Sequence, residues 1–340
     1  MKYLVTGGAG FIGSHLVDGL AARGHEVLVL DDLSTGRREN IEHQLDSGGV
    51  ELIEGSVCDE GLVDDCMRSV DRCFHLASTV GVQLVVERPL DTLLRNVRGA
   101  DTVLGAAQRH GRWLLFSSTS EVYGKTSEGA LSEQSDTVLG SPFKARWSYA
   151  IAKAFGEALA HGYSREMKAE MVVVRLFNTV GPRQTGRYGM VLPRFVRQAL
   201  AGEELTVFGN GTQSRCFIHV HDTVAGLISL CDTPGAVGAP YNIGATTETP
   251  IIELARRVIE RSGSDSSIRL VPYEDAYDEG FEELGNRKPD TAAIERLTGW
   301  YPTRPLDQVI DGVITYERAS KEATRQPVPI GHMQEYLRAA

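Results

Sequence analysis

The chain opens with a short apolar run, Tyr3-Leu4-Val5-Thr6, then a cluster of glycines, then apolar residues at Ile12, Leu16, Val17 and Leu20. The run predicts a strand, and the spacing of the four later positions gives the next segment a single apolar helical face. Glu26-Val27-Leu28-Val29-Leu30 has no polar alternation, the pattern of a parallel strand covered on both faces, and it ends in Asp31-Asp32. Strand, turn, helix and strand make a βαβ unit. Further strands are predicted at 50–53, 72–76, 113–117 and 171–177, with helical patterns between them, among others at 89–110 and 148–166. Such alternation predicts an α/β fold with a Rossmann-type doubly wound parallel sheet. After Pro182, Gly and Pro punctuate shorter elements at 191–201, 205–208, 223–230 and 251–262. They predict a smaller mixed α/β lobe for a substrate. The expected division is residues 1–180, residues 181–320 with a segment that could return to the first domain, and a loose tail at 321–340.

Composition narrows the functional classes. With 340 residues, 42% hydrophobic and 24% charged, and with 36 glycines against 13 prolines, the chain is neither disordered, collagen-like nor a coiled coil. Lys and Arg number 35 against 45 Asp and Glu, a net charge of −10, which opposes binding to nucleic acid or anionic lipid. The five cysteines are odd in number and lack C-x-x-C spacing, so they are expected as reduced thiols, not as disulfides or zinc ligands. His219 and His221 stand two apart without a third ligand, so no metal is expected. No apolar run is long enough for a bilayer, and Met1 to Val5 enters the glycine turn without a signal-peptide pattern. The expected location is the cytoplasm.

Gly7-Gly8-Ala9-Gly10-Phe11-Ile12-Gly13 lies between the first strand and its helix, where missing Cβ atoms let the backbone turn sharply and approach a pyrophosphate at the helix N-terminus. Asp31 ends the second strand, where a carboxylate accepts hydrogen bonds from both ribose hydroxyls of an adenosine and repels a 2′-phosphate. NAD is therefore expected over NADP, although Arg37 and Arg38 are close enough in sequence to suit a 2′-phosphate. Farther along, Ser117-Ser118-Thr119-Ser120-Glu121-Val122-Tyr123-Gly124 follows an apolar strand, and Tyr149-Ala150-Ile151-Ala152-Lys153 follows that. Tyr149 and Lys153 share one helical face, so the ammonium is expected to stabilise a tyrosinate and lower the phenol's pKa.

On these motifs the chain resembles the extended short-chain dehydrogenases/reductases, the nucleotide-sugar epimerases, dehydratases and decarboxylases, from about residue 1 to residue 320. The resemblance implies that Thr119 holds the sugar O4, that Tyr149 takes its proton, and that a hydride passes from C4 to NAD. Lys153 would bind the nicotinamide ribose. It also implies cofactor contacts from Gly7, Gly10, Phe11, Ile12, Gly13, Asp31, Asp32, Ser34, Thr35, Gly36, Val57, Leu76, Ala77, Ser78, Asn96 and Ser117. Gly55-Ser56-Val57 departs from the family's usual G-D-I/V and loses one acceptor for the adenine amino group. In the second lobe, Arg175-Leu176-Phe177-Asn178 resembles a segment whose Asn meets the substrate diphosphate. Phe208 matches an aromatic residue on the nucleotide base, and Arg215 a diphosphate-binding Arg. Arg187 is expected at the substrate as well. These point to a UDP-sugar. Members commonly dimerise through the helices that here would be 89–110 and 148–166, so a homodimer is expected.

Within the family, Thr119-Ser120-Glu121-Val122-Tyr123-Gly124 resembles the UDP-glucuronate decarboxylases, both the UDP-xylose synthases and the lipid A modification type. Arg146-Trp147-Ser148-Tyr149, Asp278-Glu279-Gly280-Phe281 and Arg287-Lys288-Pro289 carry the likeness further, with Arg287 at the place of a catalytic Arg. The expected reaction is oxidation of UDP-glucuronate at C4, which places a ketone β to the C5 carboxylate and lets carbon dioxide leave into an enolate. Glu121 and Ser120 would manage the proton at C5, and the product would be a UDP-4-keto-pentose, UDP-xylose, or both. A UDP-sugar 4-epimerase is the alternative, a 4,6-dehydratase a more distant one. An NAD-binding sensor without activity would need neither Tyr149 nor Lys153.

Overall fold

A computed structural model describes residues 1–80, 88–126, 129–185, 190–272, 275 and 287–325. Seven parallel strands form the central sheet, in the order Pro240–Ile243, Met171–Leu176, Trp113–Thr119, Arg72–His75, Lys2–Thr6, Glu26–Asp31 and Val50–Glu54. The unbroken apolar character of 27–30 has its cause here. That strand pairs on both sides and is covered on both faces. On one face Leu16, Val17 and Leu20 of the helix Phe11–Ala21 join the helix Val220–Cys231 in an apolar cluster. On the other, the helices Glu60–Arg68, Pro89–Arg109 and Ser148–Met167 bury Val63, Val103 and Ala160.

The chain leaves the first strand toward one edge of the sheet and later returns beside it at Arg72–His75 to build toward the other edge. A crevice must open where the order reverses, outside the carboxyl ends of the strands. Thr6 and His75 face each other across this switch, with the Thr6 hydroxyl 2.7 Å from His75 Nδ1. Burial lowers His75 to about 3, so the imidazole is neutral at ordinary pH.

The second lobe packs the helices Val191–Ala201, Ile251–Ser262 and Leu306–Arg325 around a parallel pair, Leu205–Phe208 with Ile268–Val271. The strand Pro240–Ile243 is the segment that returns, adding the last strand to the central sheet. The helix that begins at Leu306 runs on to Arg325, five residues past the point where a tail was expected, because the helical pattern simply continues; the rest of that segment lies outside the described residues. Between the lobes, Arg183 donates to Asp18 at 2.8 Å and His15 Nε2 donates to the carbonyl of Pro182 at 3.0 Å. His15, His221 and His219 form a run of ring contacts, with centroids 5.0 and 4.7 Å apart. Burial lowers His15 and His219 to about 4. Among the described residues no group of His, Cys, Asp and Glu could hold a metal ion, and no helix is long and apolar enough to cross a membrane.

Candidate active site

The glycine turn forms the floor of a cavity of about 210 Å³ at the switch point. Gly7 has φ +71°, and a Cβ there would stand 2.7 Å from the amide nitrogen of Ala77; a Cβ on Gly13 would stand 2.1 Å from the carbonyl oxygen of Gly7. The helix starts at Phe11 behind Gly10 with no side chain capping it. Its first-turn N–H groups therefore remain donors for an anion in the cavity. Asp31 accepts from the amides of Ala9 and Leu33, each at 2.9 Å, so its carboxylate also holds the glycine turn in shape. Burial raises its pKa, and the two amides oppose the rise.

Gly10, Phe11, Ile12, Asp32, Ser34, Thr35, Val57, Leu76, Ala77, Ser78, Asn96 and Ser117 line the same cavity. Gly36 does not line it. It packs behind Asp31, where a Cβ would come within 2.8 Å of both carboxylate oxygens, so it makes room for the acid. Asn96 reaches from the helix Pro89–Arg109 to accept from the Ser78 hydroxyl at 2.9 Å and the Thr79 amide at 3.0 Å, and it donates to the Thr79 carbonyl at 2.9 Å. That clamp shapes the wall after the Arg72–His75 strand. Ser56, in place of the family's acid, lines the cavity and accepts from the Cys58 amide at 3.1 Å. Arg95, at the cavity wall, donates to Asp32 at 3.2 Å, a neighbour that local spacing did not reveal.

Beside this cavity the strand Trp113–Thr119 ends in a 3-10 turn, Ser120–Tyr123, with the Thr119 hydroxyl accepting from the Glu121 amide at 3.3 Å. Tyr149 and Lys153 occupy one face of the helix Ser148–Met167, both buried. Lys153 Nζ donates to the Ser117 carbonyl at 2.8 Å and lies 6.0 Å from the centroid of the Tyr149 ring. Burial lowers the Lys153 ammonium to about 7, while Glu157 pulls it upward. The expected lowering of the Tyr149 phenol by Lys153 is not what the structure shows. Burial pushes the phenol well above its ordinary range and the charge of Glu121 adds to this, against a hydrogen bond with Ser78 and the charge of Arg146. Desolvation dominates because the ring is enclosed.

Glu121 lies in an arginine cluster. Arg146 Nη1 donates to Glu121 Oε2 at 2.6 Å, and Arg287 Nη1 donates to the Ser120 hydroxyl at 3.2 Å. Arg287 bridges to Arg215 through the backbone, which places the two arginines side by side. Burial alone would raise the Glu121 carboxyl, but Arg146, then Arg287 and Arg215, hold it below the usual range. Asn178 donates to the Cys216 carbonyl at 3.3 Å. Phe208 is half-buried, with the Arg194 guanidinium 4.3 Å from its centroid, so it is not a core residue. Arg187 and the 278–281 segment lie outside the described residues. Arg146 enters the sequence reading only through the Arg146-Trp147-Ser148-Tyr149 likeness and not as a site residue, because its partner Glu121 lies 25 residues away.

Comparison with known proteins agrees with this geometry. The NAD dependent epimerase/dehydratase family matches residues 3–244. The UDP-N-acetyl-alpha-D-glucosaminuronate decarboxylase of Bacillus cytotoxicus is 38% identical over 318 residues, covering 93% of this chain and 98% of that protein. UDP-glucuronic acid decarboxylase 1 of Xenopus tropicalis is 37% identical over 96% of this chain and 75% of its own. Among solved structures, the UDP-glucuronic acid 4-epimerase of Bacillus cereus, in complex with UDP-glucuronic acid and NAD, superposes with a TM-score of 0.85 at 26% identity, covering 94% of this chain and 100% of that one. With an uncapped glycine turn, an acid at the end of the second strand and a Thr, Tyr and Lys set beside the cavity, the chain belongs to the NAD dependent epimerase/dehydratase family, and its cofactor is NAD.

Proposed function

We propose that the protein is an NAD-dependent decarboxylase of a UDP-linked uronate, with UDP-glucuronate as the leading substrate. The observation that carries this reading is the Glu121 cluster next to Tyr149: one half-buried carboxylate, held below its usual range, beside Arg146, Arg287 and Arg215. Guanidinium groups beside the carboxylate and the Tyr149 ring suit a substrate that carries both a sugar carboxylate and a diphosphate.

NAD, when bound in the glycine-floored cavity, supplies the hydride acceptor for C4. Gly7, Gly10 and Gly13 let the backbone close on its diphosphate, Asp31 takes the adenosine ribose, and Lys153 holds the nicotinamide ribose. Thr119 holds the O4 hydroxyl and Tyr149 takes its proton as the ketone forms. Loss of carbon dioxide from the β-keto acid leaves an enolate whose oxygen Thr119 and Tyr149 stabilise. Arg287, fixed against Ser120, orients the departing carboxylate, and Glu121 with Ser120 manages the proton that returns to C5. Asn178 and Arg215 take the diphosphate, and Phe208 packs on the base. Return of the hydride then gives UDP-xylose, and release before that step gives the UDP-4-keto-pentose.

The test is to incubate the protein with NAD and either UDP-glucuronate or UDP-N-acetylglucosaminuronate, following carbon dioxide and product mass. Loss of the carboxyl group from UDP-glucuronate is the expected result; loss only from the N-acetylated sugar would move the substrate toward that of the Bacillus cytotoxicus relative. An isomer of unchanged mass would instead identify a 4-epimerase, the reading favoured by similarity to the Bacillus cereus structure. Turnover of neither uronate would overturn the proposal.

A homodimer through the helices Pro89–Arg109 and Ser148–Met167 is proposed as well. The two helices lie side by side, and Leu90, Leu94 and Phe155 remain exposed on them. Light scattering is expected to give twice the chain mass, and a monomer mass would count against this assembly.

A further inference from the structure

We propose that Glu157 is a positioning residue of the reaction, which clamps the helix carrying Tyr149 and Lys153 to two strand ends and holds its charge beside the Lys153 ammonium. The role rests on the decarboxylase reading only for its effect on turnover. Ser118 and Arg175 are register partners on the strands Trp113–Thr119 and Met171–Leu176, so their side chains leave the sheet on one face. Both donate to Glu157. The Ser118 hydroxyl reaches Oε1 at 2.5 Å, and Arg175 forks across the carboxylate, from Nε to Oε1 at 3.0 Å and from Nη2 to Oε2 at 2.7 Å. Arg175 and Glu157 are largely enclosed, with side-chain exposures of 11% and 15%. Gly156 lets the helix come this close, since a Cβ there would stand 2.3 Å from the Phe116 ring.

Ser118 stands between two strand residues close to the chemistry. The Ser117 carbonyl accepts from Lys153 Nζ at 2.8 Å, and Thr119 is next along the strand. One carboxylate thus fixes the helix against that strand end. It also follows Lys153 by four residues, which puts the two side chains on one helical face. Around the ammonium stand the Tyr149 and Phe116 rings and the His75 imidazole, which burial keeps neutral. Arg175 spends its charge on Glu157, and Arg146 and Glu121 on the 3-10 turns pair with each other. Asp91, Arg95, Arg98, Asp101 and Arg109 of the packed helix Pro89–Arg109 are exposed. Among the described residues, Glu157 is therefore the charge that opposes the desolvation of Lys153. An enclosed ion pair is by itself weak evidence of stabilisation, and its place beside the lysine is what gives this one a function.

Glu157→Gln keeps the shape and an acceptor for Ser118 but removes the charge. Lys153 is expected to titrate lower by about one unit in this variant, followed by 13C NMR of labelled lysine and assigned with Lys153→Met. The sign follows from the base. An ammonium loses its proton as pH rises, and without a negative neighbour it does so at a lower pH. The basic limb of the turnover-versus-pH profile is expected to move down with it, while KM for the UDP-sugar stays near wild type. Glu157→Asp keeps the charge and is expected to restore most of the limb's position. If stability or turnover falls while the Lys153 titration and the limb stay in place, Glu157 is a structural clamp only and the proposal is overturned. Should Glu157→Gln not fold, because the Arg175 charge is left enclosed without its partner, the double variant Glu157→Gln, Arg175→Gln removes both charges and must still show Lys153 titrating below wild type; an unmoved Lys153 there overturns it too. Failure of the wild type to act on either uronate would sink the decarboxylase reading, while the NMR titration would still decide the role of Glu157.

Discussion

Replacing Tyr149 with Phe is expected to lower turnover by about 10²–10⁴-fold, the usual contribution of a positioned acid or base, while NAD still binds. The ring is buried at the start of the helix Ser148–Met167, so the variant keeps its packing and loses a single hydroxyl. That hydroxyl is hydrogen-bonded to Ser78, and losing such a bond costs about 0.5–1.5 kcal/mol of stability. The thermal midpoint should therefore move little while the rate collapses. Initial rates with NAD and the UDP-uronate, beside an NAD titration, make the check, and a variant within tenfold of wild type would remove Tyr149 from the chemistry. The height of the phenol's pKa sharpens the expectation. Burial and the Glu121 charge favour the neutral phenol, so positive charge beside the ring, such as an oxidised nicotinamide brings, is needed before Tyr149 can take the O4 proton.

Gly13→Ala is expected to abolish NAD binding at concentrations that saturate the wild type. The new Cβ would stand 2.1 Å from the Gly7 carbonyl oxygen and 2.8 Å from the Gly8 Cα, both backbone atoms that no rotamer change can move away. Relief requires the turn to open or the helix to shift, at a cost of about 1–3 kcal/mol or more. Either movement displaces the first-turn N–H groups and the Ala9 amide that Asp31 holds at 2.9 Å. Gly162→Ala is the control, since its Cβ would meet nothing within 4 Å and the residue lies outside the cavity. Calorimetric titration with NAD and thermal unfolding of both variants would decide. If Gly13→Ala binds NAD as well as Gly162→Ala does, the turn is more compliant than its contacts imply.

Most of the sheet was readable from local pattern. The runs at 26–30 and 113–117 became the strands Glu26–Asp31 and Trp113–Thr119, because full burial on both faces requires uninterrupted apolar residues. Helix 191–201 was placed to the residue, since its apolar face covers the second lobe's core at regular spacing. Helix 220–231 was read three residues short at its start, where His219 caps it by accepting from the His221 amide at 3.0 Å. A histidine is not a usual capping signal, so local chemistry gave no sign of that boundary.

The site divides along the same line. Sequence alone determined the glycine turn, the acid at the end of the second strand and the shared face of Tyr149 and Lys153, because each depends on residues a few positions apart on one element. Only the tertiary structure decided that Arg146 meets Glu121, that Arg287 reaches Ser120 across 167 residues, and that Asn96 clamps Ser78 and Thr79. It also decided that Tyr149 is raised rather than lowered and that Gly36 serves Asp31. Spacing along a chain sets direction on a helix or strand, whereas desolvation and charge pairing depend on what the folded chain brings alongside from elsewhere.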